Sequence, residues 1–353
     1  MEHATIRDVA RVAGVSVKTV SRVLNKEQYV AAATRARVAA VMRDLAYRPN
    51  PAAQGLRRSI AGSIAFVCED ISEPFAAQLA RSIEHEAAER YVVIVSSMLG
   101  DPGLEQRTIE TLASGYADGI ILAPTPGAKT YLARLPRGVP VVCLDRPARD
   151  FASDTVLTDN VGGMASAVSH LLSQGHTRIA YIGDGTDVFT QRERLAGYRL
   201  ALEDAGLPAD DELIYQHTPD ASRLRKHLAW LSQIRQPPTA FVSANSLTTL
   251  ALAHAGFDVG SDRFIAFDDF PLADVFQGGI NVVAQDADAL GAEATRALLR
   301  RIETDEGPVR TIRLGTRLIL RKPGSADPGD ETGRADPADR TRSVGPAEES
   351  EQS

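Results

Sequence analysis

At 353 residues the chain exceeds one ordinary domain and suits two or three. Hydrophobic residues make up 44%, charged residues 24% and aromatics 5%, a soluble globular composition, and apolar runs such as Tyr91–Val95 and Val139–Leu144 are strand-sized, which excludes a membrane-spanning helix. The net charge of −7 is uneven: residues 1–60 hold 11 Lys/Arg against 4 Asp/Glu, a net +7 that leaves −14 on the remainder. A basic head on an acidic body is the footprint of local contact with a polyanion, although a solvated helix face gives the same count.

The opening Met1-Glu2-His3-Ala4 has no basic-then-apolar signal, so the protein is expected to stay in the cytoplasm. Thr5–Asn25, TIRDVARVAGVSVKTVSRVLN, then reads as two short helical patterns joined by a tight turn. Thr5 can cap the first, with Asp8 completing a capping box, and Ile6, Val9, Ala10 and Ala13 recur at helical spacing. Gly14 suits a left-handed C-cap, and Ser16 restarts the chain as an N-cap flanked by the staple pair Val15 and Val20. With Val20, Val23 and Leu24 inward, Val17, Lys18, Ser21, Arg22 and Asn25 face outward, a set of methyl groups and donors that suits base edges and phosphates. A plain helical hairpin with a basic face would show the same residues.

A third helix is expected at about Ala32–Ala46, with Val38, Val41, Met42 and Leu45 as its apolar stripe. If Ala31 is its cap, the helix forgoes roughly 0.5–2 kcal/mol. In Tyr47–Arg58, Asn50 and Pro51 form a start signal for a helix too short to stand alone in water. Leu56 beside Arg57 and Arg58 has the composition of a wedge for a narrow groove; an ordinary interdomain linker is the other reading.

From residue 62, strand-like and helix-like runs alternate. Strands are expected at Ser63–Cys68, Tyr91–Ser97, Gly119–Ala123, Val139–Leu144, Val156–Thr158, Arg178–Gly183, Ala240–Ser243, Phe264–Phe267 and Ile280–Ala284. Helices are expected at Phe75–Arg90, at Leu104–Ser114, up to Ser173, near Arg192–Ala205 and around Ser246–Ala255. Such alternation means parallel sheets covered by helices, here as two successive sets and so two lobes, with ligands at the carboxyl ends of the strands. Polar residues just past strands are the candidate ligand contacts: Asp145 and Arg146, Asn245, Asp268, and Arg194 at the start of the helix after Arg178–Gly183. Phe75 could supply an apolar platform for a sugar face. Each of these could equally cap a strand or carry an interlobe ion pair.

Other signals are bland. Cys68 and Cys143 sit in apolar runs without a metal-ligand partner, and His176 lacks the companions of a catalytic histidine. No Gly-x-x-x-x-Gly-Lys, His-Glu-x-x-His or Gly-x-Ser-x-Gly motif occurs, so no enzyme, cofactor or metal site is expected. After Arg321, Gly, Pro, Asp and Glu dominate and apolar periodicity ends, so residues 322–353 are expected to be a disordered acidic tail.

Residues 5–58, from T-I-x-D-V-A through V-S-x-x-T-V-S-R-V-L-N to Y-R-P-N, resemble the headpiece and hinge of the LacI–GalR family of bacterial regulators. The body resembles that family's periplasmic-binding-protein-like effector domain, with Asp159-Asn160, Gly175-His176-x-Arg178 and Phe267-Asp268-Asp269 as markers. The resemblance implies an all-α three-helix helix-turn-helix headpiece (1–48), a hinge helix (49–60) and an α/β two-lobed domain with parallel sheets (61–321) whose chain crosses between lobes three times. It places Val17, Lys18, Ser21 and Arg22 in the major groove of a near-palindromic double-stranded DNA operator, with Thr5, Ser16, Thr19 and Asn25 as further candidate contacts. It gives the backbone and minor groove to Tyr47, Asn50, Ala53 and Gln54, and a base step to Leu56. Phe75, Asp145, Arg194, Asn245 and Asp268 match its effector-contact positions, and Arg146 is a further candidate. The departures are Ala31 for a capping Ser or Pro, Ser246 for Asp and Ala266 for Gly. The expected function is a repressor of a catabolic operon, acting as a homodimer or higher homo-oligomer and controlled by a sugar-like effector between the lobes. A sugar-binding protein or an enzyme on the same fold is the alternative.

Overall fold

The computed structural model describes residues 5–24, 29–45, 62–185, 187–303 and 307–321; Asn25, the expected hinge and the acidic tail lie outside the described residues. Helices α1 (Ile6–Ala13), α2 (Val17–Leu24) and α3 (Ala32–Asp44) close over a small core of Val9, Ala10, Ala13, Val20 and Val38. Eight-residue helices such as α1 and α2 are marginal alone in water, so this shared core holds them. Gly14 ends α1 in the left-handed region (φ 63°), where a side chain would be strained.

The described chain divides into two compact units. The first takes residues up to 160, 186–193 and 285–316, the headpiece included; the second takes 161–185, 194–284 and the stretch from 317. The chain therefore passes between them five times rather than three, the extra pair coming from the excursion at 186–193.

In the first unit, β1 (Ser63–Cys68), α4 (Pro74–Ala87), β2 (Val92–Ser97), α5 (Pro102–Thr111), β3 (Ile120–Leu122), β4 (Val141–Leu144) and β5 (Thr155–Thr158) follow in order. They build a parallel six-stranded sheet of order β11-β5-β4-β3-β1-β2, in which β11 is Thr311–Leu314. All six residues of β1 are buried, as expected for a central strand covered on both faces.

The late helix Ala287–Glu303 packs on α4 and the sheet through Leu290, Ala294, Ala297 and Leu298. The two helices touch at Gly291, where a Cβ would lie 2.6 Å from Ser82 Cβ, and the Ser82 hydroxyl donates to Asp288 O at 2.6 Å. Asp154 binds the end of the late helix: Arg301 reaches it at 2.8 and 3.0 Å, and the Arg310 backbone N–H donates to it at 2.7 Å. Burial raises the Asp154 carboxyl, but the bonds from Arg301 and Arg310 outweigh it and hold the group below its ordinary value. Its contribution to stability is therefore present at neutral pH and is lost as pH falls through the folded value.

The second unit holds α6 (Asn160–Ser173) from Val161 on, β6 (Ile179–Gly183), α7 (Phe189–Asp204) from Arg194 on, β7 (Ile214–Gln216), α8 (Ala221–Leu231), β8 (Ala240–Ser243), α9 (Ser246–His254), β9 (Phe264–Phe267), β10 (Asn281–Ala284) and β12 (Arg317–Ile319). Its sheet order is β12-β10-β9-β8-β6-β7, parallel except for β12. One expectation is corrected here. Arg194 does not begin its helix; α7 starts at Phe189, and Arg194 sits in its second turn. Among the described residues no helix is long and apolar enough to cross a membrane.

Candidate functional site

The headpiece presents one polar face. Thr5 and Asp8 form the full capping box: the Thr5 N–H donates to Asp8 at 2.9 Å and the Asp8 N–H to Thr5 Oγ1 at 3.4 Å. The bond from the Thr5 hydroxyl, then its backbone N–H and Arg11, lowers the Asp8 carboxyl to about 2. Ser16 caps α2 by accepting from the Thr19 N–H at 3.1 Å, and the Ser16 and Thr19 hydroxyls share a bond of 2.9 Å. Lys18 and Arg22 are exposed on α2, and Ser21 and Thr19 are half-buried. Val17 departs from the outward placement expected of it. It lies one turn before Val20 on the same stripe, so it packs against the headpiece core. Asn25, Tyr47, Asn50, Ala53, Gln54 and Leu56 lie outside the described residues.

Helix α3 starts at Ala31 with no side-chain cap, although Ala31 has the extended backbone (φ −55°, ψ 140°) in which a Ser hydroxyl reaches the open amides. Ala31→Ser is expected to stabilise the headpiece by about 0.5–2 kcal/mol, read as a rise in its thermal midpoint; an unchanged midpoint removes Ala31 as the cap.

The first unit gathers three of the expected effector residues near strand ends. Asp145 follows β4 directly, in the left-handed region (φ 69°), and is 8% exposed. Arg146 bonds Asp145 through Nε at 3.2 Å and Glu69, just past β1, through Nη1 at 3.1 Å. Burial works against the Arg146 charge, and Asp145 and Glu69 more than offset it. Phe75, the second residue of α4, is half-buried against the unit core. Glu69 escaped the sequence reading although it stands in the same position, one residue past a strand.

A cavity of about 120 Å³ opens beside Arg146, walled by the loops at Pro124–Gly127 and Pro147–Arg149 and by Asp187–Arg192, all in the first unit. Its Thr125 wall is anchored from below. Glu105, fully buried, accepts from the Thr125 N–H at 2.6 Å, from Tyr131 at 2.8 Å and from Lys129 at 2.6 Å, while Lys129 also donates to Thr125 Oγ1 at 2.9 Å. Lys129 is 1% exposed, and no sequence motif marks this group.

The second unit repeats the Asp–Arg theme. Asp268 follows β9 directly, again left-handed (φ 77°), and accepts from the Ser246 N–H at 3.2 Å. Arg194 lies 3.6 Å from Asp268, donates to Ala244 O at 2.5 Å and sits over the Phe267 ring at 3.8 Å. Both charged groups are 3% exposed. Asn245 is half-buried and caps α9, its Oδ1 accepting from the Thr248 N–H at 2.8 Å, which leaves its amide group as a donor. Two short polar residues held at left-handed φ put carboxylates where an apolar side chain would be strained.

The remaining candidates are structural. Cys68 and Cys143 are buried and unpaired, and burial pushes both thiols up to about 11. His176 is half-buried, with its Nδ1 at 3.0 Å from Thr239 Oγ1.

Residues 5–50 match the bacterial regulatory proteins of the lacI family, and residues 168–322 match a periplasmic binding protein-like domain. The chain is 35% identical over 328 residues to the HTH-type transcriptional regulator DegA of Bacillus subtilis (strain 168), spanning 90% of this chain and 97% of that one. It is 33% identical over 334 residues to the ribose operon repressor of Escherichia coli (strain K12), spanning 92% and 100%. The solved transcriptional regulator CelR–cellobiose complex is 28% identical, covers 90% of this chain and 98% of that one, and superposes with a TM-score of 0.63. The chain belongs to the lacI family of bacterial regulatory proteins, as a transcriptional regulator with a DNA-binding headpiece and a periplasmic-binding-protein-like effector domain.

Proposed function

We propose that the protein is a cytoplasmic repressor of a catabolic operon, active as a homodimer or higher homo-oligomer, and that a small carbohydrate-like effector sets its operator affinity. The carrying observation is the pair of strand-end Asp–Arg couples, Asp145–Arg146 in one unit and Asp268–Arg194 in the other. Carboxylates and guanidinium groups offer the paired acceptors and donors that hydroxyl-rich ligands need. The name of the ribose operon repressor and the cellobiose held by the CelR complex support a sugar. Phe75, Asn245 and the two couples are the proposed effector contacts; the reading requires binding without turnover.

On the DNA side, α2 is the reading helix, with Lys18, Ser21 and Arg22 as its major-groove and phosphate contacts, Val17, Thr5, Ser16 and Thr19 beside them, and two copies reading the halves of a near-palindrome. The effector needs only to favour one arrangement of the body, and a coupling of about 1–3 kcal/mol is typical. Operator DNA selected with the purified protein tests this reading. Lys18→Ala is expected to lower affinity on all sequences and to reduce the salt slope by about 1, whereas Arg22→Ala is expected to cost about 1–3 kcal/mol on the selected operator and relax its specificity. Unchanged operator affinity in both variants removes α2 as the reading helix.

A further inference from the structure

The cavity of the first unit carries information about the effector that the strand-end couples do not. Three guanidinium groups line it, Arg146, Arg149 and Arg192, and among the described residues that do so Asp187 is the one carboxylate. The rest of the wall is largely apolar, with Pro147, Val188 and Phe189 among its residues. A carbohydrate bearing only hydroxyls needs donors and acceptors in balance; a wall of three cations against one anion is weighted towards donors.

The three arginines differ in how they are held. Arg146 has a side chain 12% exposed and is fixed by two carboxylates through Nε and Nη1, which leaves Nη2 for an arriving acceptor. Arg192 is exposed and donates through Nη1 to the backbone oxygen of Asp187 at 3.2 Å. Arg149 is 77% exposed and lies 3.6 Å from Asp150. Asp145 and Glu69 thus compensate the deepest cation. The Thr125 side of the cavity is fixed by the buried Glu105–Lys129 pair, so the arginines face a rigid wall. At about 120 Å³, the space has room for an oxyacid group.

We infer that the effector is an anionic carbohydrate, a polyhydroxylated small molecule whose carboxylate or phosphate is held by Arg146, Arg149 and Arg192. This rests on the effector-binding reading above and narrows it to a chemical class. Planar guanidinium groups bind both anions in paired hydrogen bonds, so the two sources share one recognition chemistry.

Titration calorimetry on the full chain with D-glucose, D-gluconate, D-ribose and ribose 5-phosphate tests the inference. At least one anionic probe is expected to bind about tenfold or more tighter than its neutral parent, with an affinity that falls as salt rises. The gluconate and phosphate arms show which oxyacid is taken. Arg149→Gln/Arg192→Gln is expected to shrink that preference to about twofold while the thermal transition stays in place, because both side chains are exposed. Equal affinity for parent and anion, binding of none of the four, or a preference that survives the double variant overturns the inference. Operator affinity measured on the same preparations separates the two readings. A neutral sugar that shifts it leaves the regulator reading standing and removes only the anion.

Discussion

Lys129→Met is expected to cost the first unit about 3–5 kcal/mol, because it leaves the buried Glu105 carboxylate without its counter-charge. Methionine keeps the length and most of the packing of the lysine stem, so the loss is electrostatic rather than a cavity. Glu105 would still accept from Tyr131 and the Thr125 N–H, two bonds that stabilise a carboxylate but do not neutralise it. Adding Glu105→Gln removes the charge, its oxygen accepting from the Thr125 N–H while its amide nitrogen donates to the Tyr131 hydroxyl, so the double variant is expected to recover much of the loss. The measurement can be assigned to a unit. The single tryptophan of the chain is Trp230, in α8 of the second unit, so its fluorescence follows that unit while circular dichroism follows the whole chain. In Lys129→Met a dichroism transition is expected at lower urea than the Trp230 transition. Losses that simply add in the double variant would mean that the two charges do not sense each other.

The sequence spoke most clearly where short-range rules operate. The Thr5–Asp8 capping box, the Gly14 left-handed cap, the Ser16 cap and the uncapped Ala31 stand where local chemistry puts them. Central strands such as β1, β8 and β9 have the expected bounds, because burial on both faces demands unbroken apolar runs. Three of the four edge strands did not show: β7, β11 and β12 have only three or four residues, too few for a period to register. Helix α8 was hidden by its basic residues, since only Leu224 and Leu231 are buried. The helix Ala287–Glu303 was in principle legible from its stripe of Leu290, Ala294, Ala297 and Leu298.

Site residues were legible as strand-end polar positions, but their partnerships were not. Nothing local links Arg146 to Glu69, 77 positions away, or Thr125 to Glu105, 20 positions away. The first pairing arises because the parallel sheet brings the ends of β1 and β4 to one edge of the fold, and the second because helix α5 carries Glu105 to the loop after β3. The left-handed φ of Asp145 and Asp268 is likewise set by the turn that leaves each strand, and short polar side chains tolerate it. The bounds of α7 had a direct consequence for function. Its start at Phe189 puts Phe189 and Arg192 on the cavity wall, where a start at Arg192 would have left that segment as loop.

Arg194 carries the second large expectation. It is buried with Asp268, 3.6 Å away, and removing it takes the counter-charge from a carboxylate that is 3% exposed and accepts from the Ser246 N–H. Arg194→Leu is expected to destabilise the second unit by about 3–5 kcal/mol, read as an earlier Trp230 transition in urea. Leucine retains an apolar contact with the Phe267 ring, so the loss reports the charge and the bond to Ala244 O more than packing. Asp268→Asn in the same chain removes the stranded charge and keeps an acceptor for the Ser246 N–H, and most of the stability is expected to return. The effector response is expected to stay lost in this double variant, because the proposed effector contact uses the donors and the carboxylate themselves. A response that returns together with stability would make the pair a strut and would remove both residues from the effector site.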